Sequence, residues 1–253
     1  MLLPVVAETY DGFLSSQSRF PVTPAHVVRG IKEASSDRVP EGNTGGGTGM
    51  ICHRFKGGTG SSSRVITGFD IDGKPKSYTI GVLVQANYGS TKNLHIGGVP
   101  VGGLLLDEQA AAVESSGKEA RKDGSIIVVI ATDVPLIPVQ LQRVAKRAAI
   151  GLAKVGGYGS NSSGDIFLAF STGNKVPGEK FAFGKGSPYQ PAPQDARVID
   201  TGTIDGVFEA AADATEEAIY NALFMAETVT GFQGRTVEAL NLAKVKEMVE
   251  RRL

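Results

Sequence analysis

One cysteine, Cys52, and three histidines, His26, His53 and His95, are all that 253 residues offer in thiol or imidazole groups. A lone cysteine excludes an internal disulfide framework and any Cys-based metal cluster, and it fits a reducing, cytoplasmic setting. The histidines show no i,i+4 spacing and no Cys-x-x-Cys is present, so no metal site and no cofactor is expected. Lys+Arg and Asp+Glu balance at 26 each, which removes the electrostatic case for nucleic acid or an anionic membrane as partner. No apolar run approaches the ~18 residues of a membrane span. Residues 1–6 are apolar but too short, and without the basic flank, for a secretory signal. A Gly-x-Gly-x-x-Gly helix entry is missing, as is a Gly-x-Ser-x-Gly elbow. Nothing therefore argues for a dinucleotide, and a Ser-His-Asp arrangement is possible in principle but has no local signature to support it.

What is plentiful is glycine, 33 residues gathered in clusters, the mark of tight turns and close backbone approaches. Residues 2–7 read as a strand. Thr23-Pro24 reads as a helix N-cap with proline in the first turn, followed by a helix to about Ala34 with Val27, Val28 and Ile31 on one face. The cluster Gly42 to Gly49 resembles a phosphate-cradling loop only loosely, since no Gly-Lys-Ser/Thr closes it. Strands are expected over 50–55, 64–71 and 77–86. Gly57-Gly58-Thr59-Gly60 separates the first pair, and the hairpin step Asp72-Gly73 the second, in an antiparallel meander. Residues 107–123 have the small and charged composition of a surface linker. Pro138 opens an amphipathic helix with Arg143, Lys146, Arg147 and Lys154 on a solvated face. A buried strand at 166–170, an irregular excursion over 175–200, a long helix over 204–226 and a last helix capped by Thr236 complete the chain. This order suits an α/β layered domain better than a βαβ repeat.

The pivotal stretch runs from Asp123 to Asp133. A polar segment ends at Gly124-Ser125, and a β-branched run, Ile126 to Ile130, starts at once behind it. Two readings stay open from the residues alone. One is an ordinary junction between loop and strand. The other is a scissile Gly124–Ser125 bond, with Ser125 becoming an N-terminal nucleophile. A serine hydroxyl is inert until a base takes its proton. A freed α-amine, with an ordinary pKa of about 8, would be such a base without any histidine. Other hydroxyls, amides and carboxylates beside glycines are Asn93, Ser162, Ser163 and Asp165.

Six segments, in order, carry a family likeness: residues 4–12, 41–50, 93–103, 123–135, 163–171 and 215–231. On these the chain resembles the L-aminopeptidase/D-esterase-amidase family, self-processing serine hydrolases that include the β-peptidyl aminopeptidases. The resemblance implies a four-layer αββα sandwich with two mixed β-sheets between helices, shared with ornithine acetyltransferase-like proteins. It also implies a single catalytic domain, 1–253, cut by itself between Gly124 and Ser125 into an α chain, 1–124, and a β chain, 125–253. Ser125 would be the nucleophile of both cleavage and turnover, and Asn93 would donate to the oxyanion. Ser163 would bond the nucleophile or its amine, and Asp165 would hold the new N-terminus. Glu8 and Tyr88 are candidates for binding a short peptide, amide or ester substrate, although a solvated carboxylate and a packed loop tyrosine fit the same residues. Assembly would be a homotetramer. Family chains begin earlier than Met1, so strands pairing with this sheet are expected upstream. Two alternatives accompany this reading: an acyltransferase on the same scaffold, and a shortened, catalytically silent oligomeric protein.

Overall fold

Two β-branched runs meet in register at the centre of the chain. In a computed structural model, which describes residues 5–112, 124–175, 189–191 and 193–252, strand β4 (Pro75–Asn87) pairs antiparallel with β5 (Ser125–Thr132), so that Val84 faces Val128 and Asn87 faces Ser125. Strand β3 (Gly58–Phe69) forms a hairpin with β4, and β6 (Ile166–Ser171) lies parallel to β5. The four-stranded sheet is therefore mixed, in the order β3-β4-β5-β6. Two short ribbons accompany it: β1 (Ile51–Cys52) with β2 (Phe55–Lys56), and β7 (Val229–Thr230) with β8 (Thr236–Val237). The hairpin turn is the expected one: Asp72-Gly73 bends with Gly73 at φ 76°, and Asp70 Oδ1 accepts from the Asp72 and Lys74 amides at 2.9 Å.

The period of two in these strands sorts the residues onto two faces. One face, with Ile80, Val82, Val84 and Ala86 of β4 and Ile126, Val128 and Ile130 of β5, is buried under helices. The long helix α5 (Asp205–Phe224) lies across β3 and β4, α3 (Pro138–Ala145) against β6, and α4 (Ala148–Lys154) beside α5. Gly60 permits this: a Cβ there would come within 1.9 Å of the Ala218 carbonyl of α5. The opposite face is apolar yet uncovered by the described residues, with Val65 and Phe69 each 68% exposed and Ile166 of β6 at 47%. Among the described residues the architecture is thus α/β, a mixed sheet with helices on one flank.

Several expectations need correction. Residues 5–7 form no strand, and residues 1–4, like 113–123 and most of the 175–200 excursion, lie outside the described residues. The glycines at 58 and 60 begin a strand instead of making a turn. The strand at 166–170 is only half-buried: Phe167 and Ala169 are partly covered on one side, and Ile166, Leu168 and Phe170 are exposed on the other. The helix from Pro138 breaks at Lys146-Arg147, and its basic face is partly engaged: the guanidiniums of Arg147 and Arg143 lie 3.7 and 5.0 Å from the Phe208 ring centre, a cation–π arrangement. Thr236 belongs to β8, and the last helix, α6 (Leu242–Glu250), is capped by Asn241, whose Oδ1 accepts from the Lys244 amide. The helix opened by Thr23 spans Pro24–Lys32 (α1), with His26 Nδ1 completing the cap at the Thr23 amide. Its apolar face, Val27, Val28 and Ile31, is exposed. Residues 101–112, the last six of which had read as linker, form α2 (Val101–Ala112).

The first glycine cluster does not cradle an anion. It folds into a short 3-10 turn, Gly45–Gly49, whose Gly47 carbonyl accepts from the ammonium of Lys56 at 2.9 Å. The same ammonium donates to the Gly57 carbonyl at 2.7 Å. Lys56 is fully buried, and burial pushes its pKa from 10.5 down to about 8.

Two predictions follow from this packing. Gly60→Ala should lower unfolding free energy by roughly 1–3 kcal/mol, because the added methyl forces α5 off the sheet; denaturant titration reads it directly. For Lys56, the unfolded chain binds more protons than the folded one between pH 8 and 10.5, so stability rises with pH through that window. Cys52, which burial pushes from 9.0 up to about 12, stays protonated in the fold and acts in the opposite sense above pH 9. The interval from pH 8 to 9 therefore isolates Lys56. Stability should climb there by roughly 1 kcal/mol, and Lys56→Met should flatten the rise.

Candidate active site

Gly124 and Ser125 sit where β5 begins, against the end of β4. A Cβ on residue 124 would lie 1.8 Å from the Asn87 carbonyl oxygen, so only glycine fits before the serine. Asn87 also fixes the surroundings through its side chain. Its Oδ1 accepts from the Ile51 amide at 2.9 Å and its Nδ2 donates to the Tyr10 carbonyl at 2.8 Å. The N-terminal loop and ribbon β1–β2 are thereby gathered around the junction.

From the other side comes the loop before β6. The Gly164 amide donates to Ser125 Oγ at 2.7 Å. Asp165 Oδ1 accepts from the Ile126 amide at 3.0 Å and from Ser163 Oγ at 2.5 Å. Ser163 and Asp165 thus join the site expected of them, but with different partners. Ser163 bonds the carboxylate and not Ser125, and Asp165 holds the amide one residue beyond Ser125. The donor to Ser125 Oγ, Gly164, was not singled out in the sequence, since any residue supplies an N–H.

Asn93 is brought to the same place by its neighbours. It ends the 3-10 turn Thr91–Asn93; Leu94 behind it is fully buried, and the Gly102 amide of α2 donates to the Leu94 carbonyl at 3.0 Å. His95 Nδ1 pairs with the Asn93 carbonyl at 2.8 Å. Asn93 lines a small cavity of about 40 Å³ with Gly124, Ser163 and Asp165. A larger cavity of about 460 Å³ opens on the other side of the junction, lined by Glu8, Asp11, Arg54 and Ser125 among others. That volume falls within the ~300–1,000 Å³ of small-molecule sites. Tyr88 belongs to the walls of both cavities. Its side chain is 5% exposed, and its hydroxyl is buried without a hydrogen bond among the described residues. Burial first, and then the proximity of Cys52, Tyr220 and Asp165, raises its pKa well above the usual phenol value.

A tight turn shapes the rim of the larger cavity. Cys52 pairs with Phe55, and the two residues between them, His53 and Arg54, have φ of 49° and 74°. Two left-handed centres mark a type I′ turn, usually built from Asn and Gly. The left-handed backbone costs roughly 1–2 kcal/mol per residue, and the surroundings hold it in place. The His53 amide donates to the Tyr88 carbonyl at 2.7 Å, and its carbonyl accepts from Thr91 Oγ1 at 2.9 Å. His53 Nδ1 bonds the Ser90 carbonyl at 3.0 Å, and its ring meets Tyr88 edge-on with centres 4.9 Å apart. The three histidines all serve such structural bonds. No group of acidic, histidine or cysteine side chains suited to a metal ion occurs among the described residues, and none of their helices is long and apolar enough to cross a membrane.

The chain resembles known proteins over nearly its whole length. The chain is 47% identical to a β-peptidyl aminopeptidase of Sphingosinicella microcystinivorans, with 98% of the chain and 61% of the relative covered. It is 42% identical to another from Sphingosinicella xenopeptidilytica, covering 91% and 55%. The chain therefore spans about three fifths of the length of the curated relatives it matches. Among solved structures it superposes on a Burkholderia β-aminopeptidase with TM-score 0.80 and 44% identity, covering 96% of this chain and 63% of that one. An L-aminopeptidase D-Ala-esterase/amidase from Ochrobactrum anthropi, described as a prototype of the serine aminopeptidases and a variant of the Ntn hydrolase fold, matches with TM-score 0.78 and 41% identity, covering 96% and 61%. The profile of Peptidase family S58 matches residues 1–237, nearly the whole chain, and the protein belongs to that family.

Proposed function

We propose that this chain is the catalytic part of a self-processing N-terminal-serine aminopeptidase and amidase, which releases N-terminal residues from short peptides, amides or esters. The observation that carries the reading is the state of Ser125 Oγ. It accepts from the Gly164 amide at 2.7 Å, which leaves its own proton and a lone pair for chemistry, directly beside a glycyl carbonyl. The domain, 1–253, would divide into 1–124 and 125–253. Ser125 Oγ attacks the Gly124 carbonyl carbon, the C–N bond breaks as the C–O ester forms, and water then hydrolyses the ester. Gly124 is left as a carboxylate and Ser125 as a free amine.

In turnover that amine takes the Oγ proton as Oγ attacks the substrate carbonyl. The proton passes to the leaving amine or alcohol, and a second attack by water releases the acid. Asn93 is the side-chain donor to the oxyanion; its place in the small cavity with Gly124 supports this role. Asp165 Oδ1 is taken up by Ile126 and Ser163, which leaves Oδ2 to face the new ammonium. Glu8, on the wall of the larger cavity, is suited to the substrate ammonium, and Tyr88 to the partition between the cavities. The names of the relatives support peptide, ester and amide substrates. The uncovered apolar sheet face supports a second sheet and hence the four-layer sandwich, and the exposed face of α1 is in keeping with a homotetramer.

Intact mass of the purified chain should show two fragments meeting at Gly124–Ser125, and Ser125→Ala should remain a single chain. One full-length species without amidase activity in the unaltered protein would overturn the reading. Asn93→Ala should lower kcat by about 10²–10³, equivalent to ~2.7–4 kcal/mol of transition-state stabilisation, with the thermal midpoint unchanged. If acyl transfer to an added amine outruns hydrolysis at equal driving concentrations, the acyltransferase reading replaces this one.

A further inference from the structure

Asn87 acts through two separate parts. Its backbone ends the β4–β5 ladder: it faces Ser125, and its carbonyl is the group that meets Gly124. Its side chain turns to the loops. Oδ1 accepts from the Ile51 amide at 2.9 Å, and Nδ2 donates to the Tyr10 carbonyl at 2.8 Å. Glu8, Tyr10, Asp11 and Ile51 all line the larger cavity, so both loops that wall it are tied to the Ser125 strand through one carboxamide. For the loop at Tyr10 that tie stands nearly alone. Val5, Val6, Ala7, Glu8 and Tyr10 are exposed, so burial does not place them. Among the described residues the backbone from Val5 to Tyr10 makes one hydrogen bond, the one from Asn87. Its side chains add one more, from Thr9 Oγ1 to the sulfur of Met50 at 3.0 Å, and a thioether is a weak acceptor. A segment with few buried contacts takes up many positions unless a specific bond selects one. Asp11, next along, is anchored otherwise, since its carbonyl accepts from the Leu14 and Ser15 amides at 3.0 and 3.1 Å.

We infer that Asn87 is a positioning residue whose carboxamide fixes the wall segment carrying Glu8 relative to Ser125, and with it the recognition of the substrate's N-terminal ammonium. The inference rests on the aminopeptidase reading and divides its two reactions. The glycyl bond before Ser125 is placed by the β4 backbone, which a substitution of the side chain leaves in position. A substrate arriving from solution has no such strand and depends on the wall for its alignment. Loss of the carboxamide therefore falls on cationic substrates and not on the cut.

The test uses Asn87→Ala, which removes both ties, and Asn87→Asp, which keeps the shape and the acceptor for Ile51 but sets an oxygen against the Tyr10 carbonyl. Should Asn87→Ala fail to fold, Asn87→Asp carries the same comparisons. Intact mass should still show two fragments in both. The substrates are Ala-p-nitroanilide and p-nitrophenyl propionate, the second having the same acyl group without the ammonium. Asn87→Ala should raise KM for the first roughly tenfold more than for the second, the scale of one charge-assisted bond, with kcat carrying the smaller share. Asn87→Asp should raise it too, although an added negative charge by itself lowers the KM of a cation. Glu8→Gln should match Asn87→Ala, and the two together should be no worse than either alone, because one acts through the other. Equal losses for both substrates, additive losses in the pair, or an unchanged KM would overturn the inference and leave the aminopeptidase reading standing. If the unaltered protein neither cuts itself nor hydrolyses amides, that reading falls, and calorimetry with the reduced-bond (CH2–NH) analogue of Ala-Ala amide decides the inference. Weaker binding to Asn87→Ala and to Glu8→Gln, with no further loss in the pair, supports it; binding unaltered by Asn87→Ala overturns it.

Discussion

The contact between Gly124 and the carbonyl of Asn87 constrains the rest of this molecule. The strand carrying Ser125 can begin only where the residue before it has no side chain, because the β4 backbone occupies that space. Register then propagates outward. Once Asn87 faces Ser125, Val84 faces Val128 and the buried face closes over α5, while Asn87's own side chain draws in the loops at Tyr10 and Ile51. The parallel addition of β6 brings its preceding loop back over the junction, and Gly164, Ser163 and Asp165 arrive together. A single close approach thus fixes the position of Ser125, its donor and its acidic neighbour.

Much of this was legible in the residues, for reasons that can be named. The β-branched run after Ser125, the Asp72-Gly73 hairpin and the Thr23-Pro24 cap each use local chemistry with few alternatives. The long helix over 205–224 showed its period. Elements failed where tertiary contacts decide. Gly58 and Gly60 looked like a turn because glycine usually is one, but here its small size admits Ala218 and its own chain to the sheet. The left-handed pair His53-Arg54 had no turn signature, since neither residue is a turn former, and only the surrounding bonds hold it. At the site, side chains were easier to foresee than backbone donors. Ser163 and Asp165 stood out by type, whereas the amides of Gly164 and Ile126 leave no mark on a sequence. Lys56 was missed for a related reason: a lysine reads as solvated until a glycine turn supplies two carbonyls to its ammonium.

The chemistry of the site follows from scarcity. Under the proposed reading, the base would be one that the chain makes from its own backbone, the α-amine of Ser125. Asp165 and Ser163 are already bonded to each other and to Ile126, so they act as a fixed frame. The three histidines are spent on holding backbone: His26 on a helix cap, His53 on the strained turn and His95 on the Asn93 carbonyl.

The central sheet draws β3 and β4 from before the Gly124–Ser125 bond and β5 and β6 from after it, the two halves joined along the β4–β5 seam. While the bond is whole, assembling that sheet is an intramolecular search. Were it cut as proposed, the same four strands would belong to two molecules, and any excursion to the unfolded state would release both to dilution. Recovery would then be a second-order encounter between fragments, each lacking half of the sheet. Persistence of the cut protein would be governed by the rate of opening and by concentration, and no longer by an equilibrium of one chain with itself. If the bond is cut as proposed, the fold would form before the cut, while the two halves of the sheet still belong to one chain.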